Sequence, residues 1–142
     1  MLLPMIRQST AAIAACAMFA LPALAEEMKY TAELSGASEV PANESAATGS
    51  ADVTVDTEAK TVSWTVSVQD LTGDPTAAHI HGPAGEDENA PPVIDMSDSI
   101  MEGSADITDE QIGELQDGQY YVNVHTEEYP DGEIRGQLAA GE

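Results

Sequence analysis

Between Lys60 and Val68 the chain alternates without a break. Val62, Trp64, Val66 and Val68 fall on one parity, and Thr61, Ser63, Thr65 and Ser67 on the other. Side chains on a strand point to opposite faces in turn, so this run predicts a strand with one buried and one solvated face. Trp64 anchors the buried face, and its indole N–H needs an acceptor there. A helix would scatter the same residues around its circumference. The segment therefore commits this part of the chain to a sheet.

Similar patterns recur along the chain at short intervals. Tyr30–Leu34 and Ala51–Asp56 alternate in the same way, and Asp56-Thr57-Glu58-Ala59 connects the second run to Lys60–Val68 as a hairpin. Further strands are expected over Ala77–His81, Gly103–Ile107, Tyr120–His125 and Glu133–Leu138. Tyr129-Pro130-Asp131-Gly132 supplies turn chemistry between the last two. Gly82–Pro92 is read as an exposed, mobile loop rich in Gly, Pro and acids. Thr108-Asp109-Glu110-Gln111 has capping-box spacing and predicts a short helix through Leu115, stopped at Asp117-Gly118. About seven short strands and one short helix make an all-β protein, and two packed antiparallel sheets, a β-sandwich, would bury their apolar stripes.

This domain occupies residues 26–142. Residues 1–25 read as a cleavable signal peptide, with Arg7, an apolar run from Ala11 to Leu24 and Ala23-Leu24-Ala25 before the cut. The run is short for a membrane span, which needs about 20 residues, and no other stretch approaches that length. Ile13-Ala14-Ala15-Cys16 loosely matches a lipoprotein box, but the apolar run continues past the cysteine. Removal of Cys16 with the signal leaves a domain without thiol or disulfide. The expected location is the periplasm or the external medium.

All 26 acidic residues follow residue 25, where the basic ones are Lys29, Lys60 and Arg135. Such a field repels nucleic acid and anionic membrane and attracts cations. It also serves as a solvated surface in a salty medium. Arg135, among so many carboxylates, is expected to form a structural ion pair that fixes the final hairpin.

Only the histidines suggest chemistry. His79 and His81 share one side of their strand, with Ala78 and Ile80 on the other. On the later strand Tyr121, Asn123 and His125 oppose Tyr120, Val122 and Val124. If the aliphatic residues line the core, all three imidazoles project from its outer or rim side and converge when the strands are close. Two same-side residues on a strand have Cα atoms roughly 6.5–7 Å apart, within imidazole reach of one ion. Three nitrogens suit copper or zinc, with Glu133 or water in the remaining position. Ordinary hydrogen-bonded histidines on a sheet rim are the plain alternative. No serine elbow, Cys/His pair or phosphate-binding glycine loop is visible.

Glu39-Val40-Pro41, Ala78-His79-Ile80-His81-Gly82-Pro83-Ala84, Gly118–Thr126 and Pro130–Gln137 together resemble the CHRD domain, which takes its name from repeats in chordin. The resemblance spans Tyr30–Leu138 and departs at Ala42, where many members have a second proline. It implies an extracytoplasmic β-sandwich of immunoglobulin-like character and no established reaction. All three histidines lie inside the similar motifs. The His-x-His strand also resembles copper–zinc superoxide dismutase, but that family uses four histidines at copper and usually carries a disulfide. The readings in play are an exported metal-binding domain with His79, His81, His125 and Glu133 as ligands, a non-catalytic module for a protein or surface polymer without metal, and a copper-dependent redox enzyme of superoxide dismutase type.

Overall fold

The structure, a computed structural model, describes residues 15–20 and 26–142. The cleavage triplet Ala23-Leu24-Ala25 and most of the apolar leader lie outside the described residues. No helix among them is long and apolar enough to cross a membrane.

Nine antiparallel strands build the domain: β1 (Glu27–Ser35), β2 (Thr48–Asp56), β3 (Thr61–Gln69), β4 (Pro75–His81), β5 (Pro92–Asp95), β6 (Glu102–Asp106), β7 (Tyr121–Thr126), β8 (Ile134–Gln137) and β9 (Ala139–Ala140). One α-helix, α1 (Asp109–Gln116), precedes β7, and a 3-10 turn over Gly36–Ser38 follows β1. The strand order is β5-β4-β7-β8-β1-β2-β3-β6, with β9 paired to β1. Two halves, β5-β4-β7-β8 and β1-β2-β3-β6, are joined between β8 and β1 through the single pair Ser35↔Arg135. Tyr30, Leu34, Val53, Val62, Trp64, Ile80, Val122, Val124 and Ile134 form one core between them. The architecture is the expected all-β sandwich.

Local rules account for the elements. On β3, Val62, Trp64 and Val66 are buried and Ser63, Thr65 and Ser67 exposed, while Val68 is half-buried near the strand end. The indole of Trp64 donates to the Ser99 carbonyl at 2.9 Å, so burying it leaves no polar group unpaired. The Thr108 hydroxyl accepts from the Gln111 N–H, and the Gln111 side chain accepts from the Thr108 N–H, which caps α1 from both sides. Ile112 and Leu115 then face the core.

Two strands exceed the expected seven. β5 begins within the Pro-rich stretch assigned to a loop, where a proline sets the strand start on an edge. β9 is a two-residue pairing with β1. The reading of Gly82–Pro92 as a mobile loop also needs correction. Its side chains from Gly85 to Asn89 are exposed, yet its backbone is fastened. Arg135 donates to the carbonyls of Gly85 (3.0 Å) and Glu88 (2.8 Å) and to Asn89 Oδ1 (3.0 Å), and Gln137 Nε2 donates to the Ala84 carbonyl (2.9 Å). Arg135 is thus a carbonyl anchor, not half of the expected ion pair. Its guanidinium also lies 3.4 Å from the Tyr121 ring centroid, a cation–π contact that offsets part of the cost of burying the charge.

Candidate metal centre

β4 and β7 are neighbours in antiparallel register, with His79 opposite Asn123, His81 opposite Tyr121 and His125 opposite Ala77. His125 is therefore diagonal to His79 across the ladder, within reach of long side chains. Ala78, Ile80, Val122 and Val124 are fully buried in the core, so parity sends the three imidazoles to the other face. One ligand nitrogen from each lies within 4.8 Å of the others. The ring centroids are 5.4 Å apart for His79–His81, 5.0 Å for His79–His125 and 6.4 Å for His81–His125.

That outer face is not an open rim. Every residue of β7 is buried, because the strand is central in its half and the fastened 82–92 loop covers it. His81 and His125 are each 9 % exposed, while the His79 side chain is 22 % exposed and marks the edge toward solvent.

The hydrogen bonds decide how the rings are held. His81 Nδ1 is 2.8 Å from the Ala90 carbonyl, and His125 Nδ1 is 2.8 Å from the Pro130 carbonyl. A carbonyl only accepts, so both Nδ1 atoms carry the proton and both Nε2 atoms present a lone pair in the neutral ring. His79 is held the other way round. Its Nε2 is 3.7 Å from Asp95 Oδ1 and its Nδ1 is 3.1 Å from His125 Nε2. The His81 ring stacks on Tyr121 with centroids 4.9 Å apart and planes 4° from parallel. Tyr121 is in turn covered by Arg135 and hydrogen-bonds both the N–H and the carbonyl of Ala90. Arg135, Tyr121 and the Ala90 carbonyl therefore form a single brace behind His81.

His81 Nε2 also lies 2.9 Å from Asn123 Oδ1. With a carbonyl oxygen at each ring nitrogen, only an imidazolium would donate to both. Burial opposes that charge and holds the His81 pKa below its ordinary value, despite the raising effect of the two acceptors. The pKa of His79 is lowered too, first by burial and then by the neighbouring His125 and His81, with Asp95 opposing. Both rings are biased toward the neutral form that a metal requires.

Glu133 is not brought to this group. It is fully buried, its Oε1 accepts from Ser45 Oγ and from the Thr72 N–H at 3.1 Å each, and its Oε2 is 3.3 Å from the same N–H. The carboxylate stitches three separate segments together instead. The sequence put Tyr121 and Asn123 on the His125 face but assigned them no role beside the histidines, and it missed Asp95 altogether. That shared parity was the signal for the Tyr121 stack and the Asn123 contact at His81. Asp95 carried none, since its strand was unrecognised.

The sequence model of the CHRD domain matches residues 30–138. No curated protein and no solved structure shows a comparable match.

Proposed function

The chain belongs to the CHRD domain family, and for this member we propose an exported domain that binds one copper or zinc ion through His79, His81 and His125. The observation that supports it most is the pair of 2.8 Å contacts from the Nδ1 atoms of His81 and His125 to backbone carbonyls. Metal-ligating histidines almost always donate their second ring N–H in this way, which fixes tautomer and ring direction. His79 would bind through Nδ1, with its Nε2–H toward the Asp95 carboxylate. The 3.1 Å between His79 Nδ1 and His125 Nε2 is close to the edge of about 3.3–3.4 Å of a tetrahedron with 2.0–2.1 Å metal–nitrogen bonds. Water fills the remaining position, since Glu133 is engaged elsewhere. The surrounding acidic field concentrates cations and repels an anion such as superoxide, so binding is favoured over a superoxide dismutase activity.

A second reading has its own support. In the metal-free arrangement His79 and His125 hydrogen-bond each other directly and His81 has Asn123 as a partner. That network suits a non-catalytic binding or structural module without metal. Electron paramagnetic resonance of the copper(II)-loaded protein separates the two. Nitrogen hyperfine structure from three imidazoles, lost in steps in the single His→Ala variants, is the expected result. A signal of oxygen-only ligation, unchanged in those variants, would leave the metal-free module.

A further inference from the structure

A fourth donor stands among the three imidazoles. Asn123 pairs with His79 directly across the β4–β7 ladder, and it precedes His125 by two residues on the same face of β7. It is 3 % exposed, and its Oδ1 is 2.9 Å from His81 Nε2. That short contact lacks a proton. A neutral imidazole, the form that binds a metal, has one N–H, and His81 spends it through Nδ1 on the Ala90 carbonyl. Nε2 and the amide oxygen therefore face each other with lone pairs, which repel unless a cation answers both. Reversing the amide would supply an N–H, but its other end opposes that. A Cβ at Gly132 would lie 2.6 Å from Glu39 Oε1 and 2.8 Å from Asn123 Nδ2, so these two atoms meet over the glycine. Glu39 Oε1 is buried without a hydrogen-bond partner. The amide as it stands turns its N–H end toward that oxygen, whereas the reverse would set oxygen against oxygen.

From these contacts we infer that Asn123 Oδ1 is a further ligand of the ion, which with three imidazoles and a water makes a five-donor shell that takes copper(II) in preference to zinc. The inference rests on the metal reading above and adds a ligand to it. Two bonds of about 2.0–2.1 Å at a right angle hold their ligand atoms about 2.8–3.0 Å apart, and the Oδ1–Nε2 separation of 2.9 Å falls in that range. The tetrahedral edge that zinc prefers is longer, about 3.3–3.4 Å. The 3.1 Å between His79 Nδ1 and His125 Nε2 lies between the two. Right angles among nitrogen and oxygen donors belong to tetragonal copper(II). The nearby carboxylates are poorer candidates for the same position. Glu133 is held by Ser45 and Thr72, and Asp95 stands at the far nitrogen of His79.

Pulsed electron paramagnetic resonance on the copper(II)-loaded protein, grown with carbon-13 asparagine, tests this. Asn43 and Asn89, the other asparagines, are engaged elsewhere, with the Gly132 and Glu133 carbonyls and with Val40 and Arg135. The expected result is the carbon-13 coupling of a carbon bonded to a ligand atom, beside the imidazole nitrogen couplings, and its loss in Asn123→Ala. Because the signal is read on wild type, it decides even where N123A fails to fold. In chelator competition N123A should weaken copper(II) by at least the roughly tenfold that loss of an outer-shell partner costs. Zinc, which keeps three imidazoles and a water, should weaken less than about threefold. Imidazole couplings without carbon-13 coupling, with copper(II) affinity unchanged or raised in N123A, would overturn the inference. The three-histidine site would then stand, with Asn123 as a partner that the metal displaces. Copper(II) without imidazole couplings in wild type would overturn the metal reading and this inference together.

Discussion

At the scale of single residues, the domain keeps its most costly groups where they serve the outer face of β7. Glu39 is the clearest case. Burial pushes its carboxyl up to about 7, against the lowering effect of Arg135. A carboxyl raised in the folded state contributes stability that is full below its unfolded value and lost as pH rises through the folded one. The window here runs from about 4.5 to about 7. Glu39→Gln, which cannot ionise, should therefore match wild type near pH 4 and exceed it by of order 2 kcal/mol at pH 8, after discounting for screening. Urea denaturation at the two pH values checks this, and a constant difference between the proteins would contradict it. The lowered pKa values of His79 and His81 predict the opposite dependence for the metal centre. Loading should be complete at pH 7, and should fail only when pH drops below the ordinary histidine range near 6.5. Metal release measured across pH 4–8 reads this out, and half-release above pH 7 would contradict it.

At the scale of elements, the loop between β4 and β5 matters most, because it converts an exposed sheet face into a covered site. Its anchor is Arg135, which is 1 % exposed. Arg135→Met removes three hydrogen bonds and leaves loop carbonyls unpaired. The expected cost is about 2–4 kcal/mol, with new proteolytic cleavage between residues 82 and 92. An uncut loop and a change below about 0.5 kcal/mol would show that the anchor is dispensable. The same loop marks where reading from sequence stops. Alternation placed β3, the β2–β3 hairpin and the imidazole parity correctly, because those are local rules of strand geometry. The capping box placed α1 for the same reason. The carbonyls of Ala90 and Pro130 that orient His81 and His125 are backbone atoms, so no residue type announces them. Arg135 looked like an ion-pair partner because composition surrounds it with acids. Its actual partners are set by loop packing, 46 to 50 residues away along the chain. Glu133 was a carboxylate offered for the remaining position, but Ser45 and Thr72 claim it through contacts that pattern reasoning does not reach.

At the scale of the whole molecule, the 142-residue chain has a single cysteine and carries a formal net charge of −22. One ion pair between permanently charged side chains occurs among the described residues, Lys60–Asp109. His79 Nε2 lies 3.7 Å from Asp95 but its ring is biased toward neutral, and both carboxylates are largely exposed. Self-repulsion therefore opposes a fold held by its apolar core, and salt should relieve it. Raising sodium chloride from 20 mM to 1 M should lift Tm by about 5 °C or more, since roughly 1 kcal/mol moves a domain of this size by several degrees. An unchanged or falling Tm would mean that the charges are too dispersed to matter. The same field makes weak, nonspecific metal uptake certain, so the central claim needs a comparison that subtracts it. The decisive measurement is metal content by mass spectrometry after separate copper and zinc loading and exhaustive dialysis, for wild type beside the triple variant His79→Ala/His81→Ala/His125→Ala. The account predicts about one equivalent held by wild type and none by the variant. Equal retention by both would contradict it and leave the histidines as members of a hydrogen-bonded brace.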